Sequence, residues 1–318
     1  MSQAWPAVVS PDGLWVLSSS HRRKSVQEGS TGRALYSMPT LEDEMIPVFS
    51  PDSQKYIRSR KNKFWLHNVK SGRDEYLVTT ELEHKFTSFA FSSDSESFVS
   101  GSGDGTIRLW SSKTGTLSRQ IFPYYGAATG CWSVAYSPLG RTVAGLISKP
   151  YKGGLPVSLD LFDSVSGQEI MTISVEYTGM PKLVSFSPDG KHVAVTGSKI
   201  VTIFDINSGK RSWGLSENSA HDPMASAFSP DGNTFAVGSS TLRIWDMKAL
   251  KRRLVRFEGH DGLNHSLKRL RINTITFSPS SMKVATTARG SRYVRVSDVT
   301  GAIASQRGPP DRQTTSGD

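Results

Sequence analysis

The sequence predicts an all-β protein in which one four-stranded antiparallel unit is repeated seven times. The main observation is a turn motif, an aromatic residue or Val followed by Ser-Pro-Asp-Gly or a close variant, which returns every 40 to 50 residues. The second observation is that short runs of β-forming residues follow each motif in the same order. The serines of the seven motifs are Ser10, Ser50, Ser92, Ser137, Ser187, Ser229 and Ser278.

Each motif predicts the end of a first strand and a tight turn into a second one. Proline presets the backbone angle φ of the turn, and glycine takes the positive φ that other residues avoid. An apolar run of strand length comes directly after the turn. Second strands are predicted at residues 15–18, 98–100, 143–146, 193–196, 235–238 and 284–287.

A third and a fourth strand complete each unit. The stretch 91–115 shows the pattern most clearly, because a Gly-Asp-Gly turn at 103–105 joins two short β-runs into a hairpin. A Ser-Gly or Thr-Gly turn then leads from the third strand to the fourth, as before residues 169–175 and before 302–307. The third strands often end in an aromatic residue followed by Asp, as at residues 159–163, 201–205 and 242–246.

Four short strands per unit at this period are typical of a propeller blade, and seven blades close into a ring. We therefore predict a single seven-bladed β-propeller of four-stranded antiparallel blades over residues 1–307. A disordered tail, rich in Pro, Gly, Ser and Thr, is predicted at 308–318. The first strands of the blades are expected near residues 5–9, 45–49, 86–91, 131–136, 181–186, 223–228 and 272–277.

The chain resembles the WD-repeat (WD40) β-propeller family over residues 5–305. Trp245-Asp246 is the Trp-Asp pair of that family, Gly259-His260 is its Gly-His pair, and Trp110-Ser111 is a variant of the first. The resemblance implies a structural network in which a loop His, a strand Ser, a turn Asp and the Trp brace a blade. The residues that match this network are His84, Ser100, Asp104 and Trp110, together with Trp245, Asp246 and His260.

No enzyme signature is visible in the sequence. It has no phosphate-binding loop, no dinucleotide-binding fingerprint and no paired histidines at metal-binding spacing. The family resemblance likewise implies binding of other proteins, so we expect no catalysis, no cofactor and no metal. Cys131, the one cysteine, is expected to be a small buried residue at the start of a strand; the alternative is a reactive thiol.

The ends of the chain raise the question of how the ring closes. The sequence begins directly at a first strand, so we expect residues 302–307 to supply the outer strand of the seventh blade. The ring then closes by packing of blades seven and one, unless the chain is a piece of a longer protein. No signal peptide and no apolar stretch long enough to span a bilayer are visible, and with the single cysteine this predicts an intracellular protein, cytoplasmic or nuclear.

The net charge is +10, and much of the positive charge falls in loops expected on one face of the ring. We call this end, where second strands lead to third strands and fourth strands to the next blade, the top face. The basic loops of blades seven, one and two form the basic sector, and the acidic run 42–44 is its counterweight. The members of the basic sector are His21, Arg22, Arg23, Lys24, Arg58, Arg60, Lys61, Lys63, His265, Lys268, Arg269, Arg271, Arg289 and Arg292.

We expect the basic sector to dock an acidic or phosphorylated segment of a partner protein, because arginine pairs well with carboxylate and phosphate groups. The alternative is ordinary solvated loop charge. A second candidate surface is aromatic: Tyr124, Tyr125 and Tyr151 lie in loops of blade four. Aromatic residues rimmed by charge are typical interface anchors, although these three could instead pack over their own blade.

These observations predict a non-enzymatic scaffold that binds other proteins, within a multi-protein complex and without a small-molecule substrate. Two alternatives stay open. The first is binding of nucleic acid or of an anionic membrane through the basic sector. The second is an accessory propeller of a hydrolase, since such repeats also read Ser-Pro-Asp-Gly; the Trp-Asp and Gly-His pairs favour the WD type.

Overall fold

The protein is a seven-bladed β-propeller, as the sequence predicts. In the residues that the computed structural model describes, 27 antiparallel strands form seven sheets and no helix occurs. Six sheets have four strands, and the described part of the seventh has three. The described residues are 7–19, 23–39, 43–79, 84–121, 130–148, 157–175, 181–197, 200–216, 225–248, 253–258, 270–288 and 294–299.

The strands of blades one to four follow the chain in order, and each sheet pairs its strands sequentially. Their bounds are β1 (Val8–Val9), β2 (Trp15–Ser19), β3 (Arg23–Glu28) and β4 (Ala34–Pro39); β5 (Val48–Phe49), β6 (Lys55–Arg60), β7 (Lys63–Asn68) and β8 (Asp74–Thr79); β9 (Phe86–Phe91), β10 (Ser97–Ser102), β11 (Ile107–Ser111) and β12 (Leu117–Ile121); and β13 (Gly130–Tyr136), β14 (Thr142–Ser148), β15 (Val157–Asp163) and β16 (Glu169–Val175).

Blades five to seven repeat this arrangement. The predicted outer strand of blade seven, at 302–307, lies outside the described residues, as does the predicted tail at 308–318. The bounds are β17 (Pro181–Phe186), β18 (His192–Gly197), β19 (Ile200–Asp205) and β20 (Arg211–Ser216); β21 (Ala225–Phe228), β22 (Thr234–Gly238), β23 (Thr241–Asp246) and β24 (Arg253–Glu258); and β25 (Ile272–Phe277), β26 (Lys283–Ala288) and β27 (Arg295–Asp298).

The first strands of the blades line the centre of the ring. Neighbouring first strands contact one another, for example β9 with β13, β13 with β17, and β21 with β25. The ring closes between blades seven and one, where the hydroxyl groups of Thr274 and Thr287 donate to the backbone oxygen of Ala7 at 3.4 and 3.2 Å. Blade seven therefore holds the backbone that leads directly into β1.

The hydrophobic core consists of clusters sandwiched between successive blades. Between blades two and three, Phe64 packs edge-on against Phe98 and Trp110, with ring centres 5.4 and 5.0 Å apart. Burying an aromatic ring of this size stabilises the fold by roughly 1.5–3 kcal/mol. Cys131 is fully buried between blades three and four, as expected, and a Cβ on Gly101 would lie only 2.7 Å from its sulfur. Glycine at 101 thus lets the two blades approach each other.

In five of the seven blades, the Ser and Asp of the motif close the first turn by the same set of hydrogen bonds. In blade three, the hydroxyl of Ser92 donates to Asp94 Oδ1 at 2.5 Å, and the same carboxylate oxygen accepts the backbone N–H of Glu96 at 2.9 Å. The side chain thus reproduces a backbone turn, which is why Ser and Asp recur at this spacing. The same Ser-to-Asp bond occurs in Ser10–Asp12, Ser50–Asp52, Ser187–Asp189 and Ser229–Asp231.

The turns need a residue with positive φ, and the sequence supplies it in two ways. Where the motif ends in glycine, that glycine has the positive φ predicted, from 67° at Gly190 to 79° at Gly140. Serine replaces glycine in three blades, and Ser53, Ser95 and Ser281 keep a positive φ of 59–61°. A serine backbone is strained in this region, so another interaction must favour it there.

Candidate partner-binding surface

The basic sector divides into buried and exposed residues. Lys24 lies on β3 and Arg58 on β6, and their side chains point into the junction between blades one and two, where they are 0% and 6% exposed. Both pair with the carboxylate of Glu44, which is itself fully buried. A buried charge without a partner is very costly, so the pairing with Glu44 is what allows these two cations to be buried. They are not available at the protein surface.

Physical chemistry accounts for this cluster of Lys24, Arg58 and Glu44, which we call the junction cluster. Burial, and the positive charge of Arg58, lower the pKa of the Lys24 ammonium. Burial likewise lowers the pKa of Arg58. The Glu44 carboxylate opposes both effects, because it lies against both cations. One member of the counterweight predicted at 42–44, Glu44, is therefore used inside the fold, whereas Asp43 is exposed and residue 42 lies outside the described residues.

A polar and aromatic shell continues the junction cluster into blade two. Arg58 donates to Met38 Sδ, and the Tyr56 ring stacks on the imidazole of His67 with centres 4.7 Å apart. His67 Nδ1 lies 2.7 Å from Asp74 Oδ1. Burial and the Arg58 charge lower the pKa of His67 to about 3, so the imidazole is neutral at physiological pH.

Sequence alternation contained a signal for the buried cations. Lys24 is two residues before the buried Val26, and Arg58 is two residues after the buried Tyr56. Residues two apart on a strand point to the same face of the sheet, so each cation shares a face with a buried neighbour. A charge on the buried face of a strand predicts a buried partner, here Glu44.

The exposed part of the basic sector lies on the top face. Arg23, Lys61, Lys63 and Arg271 are exposed, and Arg60 is partly exposed. The members His21, Arg22, His265, Lys268, Arg269, Arg289 and Arg292 lie outside the described residues, as do Tyr124, Tyr125 and Tyr151.

Lys85, which the sequence reasoning did not single out, joins Lys61 at the top of blades two and three. The backbone N–H of Phe86 donates to Lys61 O at 2.8 Å, and that of Gly103 donates to Lys85 O at 3.0 Å. Both lysine side chains are exposed. Hydrogen bonds therefore tie together the backbones of three loops, two of which carry these lysines. The signal in the sequence was the position of Lys85 in the loop that leads into β9.

The structural network of blade three has an ordered centre. Trp110 Nε1 donates to Ser100 Oγ at 2.9 Å in a buried site. Asp104 accepts from Thr106 and pairs with Arg108 at 3.1 Å. His84 is exposed beside Gly103, and its part in the network stays a prediction.

Blade six uses its Trp-Asp pair differently. Trp245 packs edge-on against Trp213 with ring centres 5.6 Å apart, and Asp246 accepts the backbone N–H of Lys248 at 2.8 Å. The sheet register places Val237 where blade three has Ser100, which removes the hydroxyl that accepts from the tryptophan. His260 lies outside the described residues.

Other kinds of site find no support in the described part of the chain. No group of three His, Cys, Asp or Glu side chains there could hold a metal ion. Burial raises the pKa of the Cys131 thiol, which disfavours the reactive thiolate. Within the same residues, no helix could cross a membrane.

The fold and its loops define the class of protein: a propeller that presents loops on a rigid ring. The family model described as WD domain, G-beta repeat matches residues 76–111 and 215–246. Each match begins in the outer strand of one blade, β8 or β20, and ends in the third strand of the next, β11 or β23. No curated protein matches the chain. The chain carries WD repeats on a seven-bladed propeller, and the predicted resemblance is confirmed; propellers of this kind are typically protein-interaction scaffolds and are generally not catalytic.

Proposed function

We propose that this WD-repeat propeller is a non-enzymatic, intracellular scaffold that docks an acidic or phosphorylated segment of a partner protein on its top face. The observation that supports this most directly is the pair of exposed lysines, Lys61 and Lys85, whose loops are hydrogen-bonded to each other through backbone groups. Arg60 lies next to Lys61 and adds a guanidinium. Carboxylate and phosphate groups bind such clusters through charge-assisted hydrogen bonds.

Among the described residues at the top of blades one to three, the carboxylates of Glu44 and Asp104 are engaged within the fold. Glu44 pairs with Lys24 and Arg58, and Asp104 pairs with Arg108. Asp43 is exposed and precedes Glu44. Glu44 and Asp104 are thus engaged within the fold, while Glu81 and Glu83, which precede Lys85, lie outside the described residues.

Rigid display is the mechanism that we propose for binding. The backbone bonds from Phe86 and Gly103 hold the loops of Lys61 and Lys85 in place before a partner arrives. A preorganised site loses less conformational entropy on binding than a flexible one. Charge of one sign on a single face also steers an acidic segment toward it.

Charge reversal on the top face tests this function. The variant Lys61→Glu/Lys85→Glu is compared with Lys70→Glu/Lys210→Glu, which reverses two exposed lysines in third-to-fourth turns at the opposite end of the ring. Both variants change the net charge equally. Affinity purification with mass spectrometry is expected to lose partners with the top variant only. A recovered partner is then purified and either treated with phosphatase or mutated at its acidic segment. The altered partner is expected to bind at least tenfold more weakly than the unaltered one.

Two outcomes contradict the proposal. An identical partner set for wild type and the top variant removes the role of the lysine pair. Recovery of nucleic acid alone, or binding to anionic vesicles that the top variant abolishes, with a steep loss of binding at moderate salt, assigns the surface to a different class of ligand.

A further inference from the structure

An apolar cleft opens at the end of the ring opposite the top face, which we call the bottom face. It has a volume of about 590 Å³ and lies at the centre of the ring between blades six, seven, one and two. Its walls come from first strands and its rim from the prolines of the first turns. Among the described residues that line it, Thr276 is the one polar residue, beside apolar residues such as Val9, Val48, Phe228 and Ile275.

The size and chemistry of the apolar cleft are those of a binding site. Pockets that bind small ligands or anchoring side chains typically measure roughly 300–1,000 Å³ and are mostly apolar. Two large apolar side chains in the first turns of blades one and seven, which contribute to the cleft, are also exposed: Leu14 is 57% exposed and Met282 is 53% exposed.

Carboxylates surround the apolar cleft. Asp12 follows the rim residue Pro11, Asp231 follows the rim residue Pro230, and Asp52 stands at the same place in the turn of blade two; all three are exposed. Two lysines follow first turns at the cleft, and each has a carboxylate nearby. Lys55, after the turn of blade two, pairs with Glu75 at 3.0 Å, and Lys283, after the turn of blade seven, lies opposite Asp298 in the sheet. The inner rim is therefore acidic, although the whole chain has a net charge of +10.

Asp12 and Asp52 are held by hydrogen bonds to one carboxylate oxygen, whereas both carboxylate oxygens of Asp231 accept hydrogen bonds within its own turn. The described hydrogen bonds to Asp12 and Asp52 all use Oδ1, which accepts from the turn. Burial raises the pKa of Asp231, but hydrogen bonds from Ser229 and Asn233 outweigh this effect and lower its pKa overall. The lowered pKa keeps Asp231 negatively charged at neutral pH, and the Oδ2 atoms of Asp12 and Asp52 can accept from a cation.

We propose that the apolar cleft binds a segment of a partner protein in which an aliphatic or aromatic side chain is flanked by Lys or Arg. The apolar side chain would fill the cleft, and the flanking cations would pair with Asp12, Asp52 and Asp231. Charge complementarity selects this occupant, since an acidic segment would be repelled by the same rim. The cleft is distinct from the top-face lysine pair in both position and sign of charge, so the two surfaces can hold different partners at once.

A random peptide library displayed on phage and selected against the immobilised protein tests the proposal. Enriched peptides are expected to carry an apolar residue flanked by basic residues. A synthetic copy of an enriched peptide is then titrated by fluorescence anisotropy against three variants. Thr276→Lys places a cation in the cleft and is expected to weaken binding more than about tenfold. Asp12→Asn/Asp52→Asn/Asp231→Asn keeps the Oδ1 acceptors and is expected to weaken binding about three- to tenfold, with a reduced dependence on salt.

The third variant, Asp94→Asn/Asp189→Asn, is the matched control. It makes the same change in the turns of blades three and five, which do not line the cleft, and binding is expected to stay within about twofold of wild type. Thermal unfolding of every variant shows whether it is folded, and the Asn variants keep the test valid if Thr276→Lys is unstable. Peptides without the apolar-basic pattern, equal binding to all variants, or loss of binding with Lys61→Glu/Lys85→Glu instead would overturn the proposal. Self-association of the protein that Thr276→Lys abolishes would overturn it as well, by assigning the cleft to a second copy of the chain.

Discussion

Individual serines at positive φ show how single residues link the blades. The backbone N–H of Asp12 donates to Ser53 Oγ of the next blade at 3.1 Å, and Asp52 donates to Ser95 in the same way. Asp231 donates to Ser281 at 3.1 Å. Each serine takes a place where glycine would be unstrained, and its hydroxyl supplies an acceptor to the preceding blade. The strain of the left-handed backbone is therefore offset by a hydrogen bond between blades.

The two replacements of Ser53 by Ala and by Gly separate these effects. Ser53→Ala keeps a side chain at positive φ and loses the acceptor, so it is expected to lower the free energy of unfolding by about 1–2 kcal/mol. Ser53→Gly loses the same acceptor but relieves the strain, so it is expected to be more stable than the Ala variant by about 1 kcal/mol. Urea denaturation measures both. An Ala variant as stable as wild type would show that the bond from Asp12 contributes nothing.

The sequence predicted the geometry of these turns but not the bonds between them. The Pro-Asp-Gly motif and the hydrogen bonds of its Asp lie within a few consecutive residues, so the sequence alone predicts the turns at Asp12 and Asp189. The bond from Asp12 to Ser53 joins residues 41 positions apart, and it depends on how two blades pack. No local sequence pattern predicts a hydrogen bond between residues so far apart. From the sequence, Ser in place of Gly at position 53 is only a deviation from the repeat.

At the scale of the structural element, the junction of blades one and two buries a cluster of charged side chains. Aromatic rings fill the junction of blades two and three, and aliphatic side chains dominate that of blades four and five. Between blades one and two, the described residues add the junction cluster of Lys24, Arg58 and Glu44 to a small apolar core. Such buried ion pairs contribute little compared with apolar packing but are very sensitive to loss of one member.

Removal of Glu44 is the sharpest test of the junction cluster. Glu44→Ala leaves two cations buried without their carboxylate and is expected to destabilise the protein by about 3–5 kcal/mol. The control is Glu96→Ala, which removes an exposed ion pair with Lys113 and is expected to cost less than about 1 kcal/mol. Thermal unfolding followed by circular dichroism measures both. Equal effects of the two substitutions would show that the cluster does not stabilise the junction.

Element positions were more predictable than the surface they display. The second strands, such as β14 and β18, contain the predicted runs at 143–146 and 193–196. Loop charges were harder to interpret, because a basic residue near a strand end can point outward, as Lys61 does, or inward, as Arg58 does. Only the alternation of the strand distinguishes them, and it requires knowing which face of the strand is buried.

For the whole molecule, the repeat places one kind of side chain at the same end of every blade. First turns recur with Asp, so their repetition places carboxylates around one end of the ring. The loops of the other end are not constrained by the motif, and there lysines such as Lys61 and Lys85 are exposed. A single protein can therefore offer a basic surface and an acidic-rimmed cleft without any change in its scaffold, which suits a platform that joins unlike partners.

The repeated aspartates of the first turns also make the stability of the fold sensitive to acid. Hydrogen bonds from Ser92 and from the backbone N–H of Glu96 lower the pKa of Asp94, and the pKa of Asp189 is also lowered, although burial acts against its Ser187 bond. A carboxyl group whose pKa is lower in the folded state stabilises the fold above its unfolded pKa, near 4, and this stability is lost as the pH falls further. Because the capped Asp recurs from blade to blade, we expect the free energy of unfolding to fall steeply below about pH 4.

His67 is expected to cause an earlier and shallower loss. Its pKa is lowered to about 3 in the fold, whereas an unfolded histidine titrates near 6.5. The unfolded chain therefore binds one more proton than the folded chain between these values, and stability falls by up to about 1.4 kcal/mol per pH unit as the pH drops below about 6.5. Urea denaturation between pH 7.5 and pH 4.5, roughly the range above the carboxyl transitions, measures this slope.

His67→Gln removes the titrating group and is expected to flatten the slope. The control is His192→Gln, which replaces a less buried histidine on the second strand of blade five. The His67→Gln variant has no imidazole at position 67 to take up a proton on unfolding. An unchanged slope in this variant would therefore mean that His67 is not the group responsible.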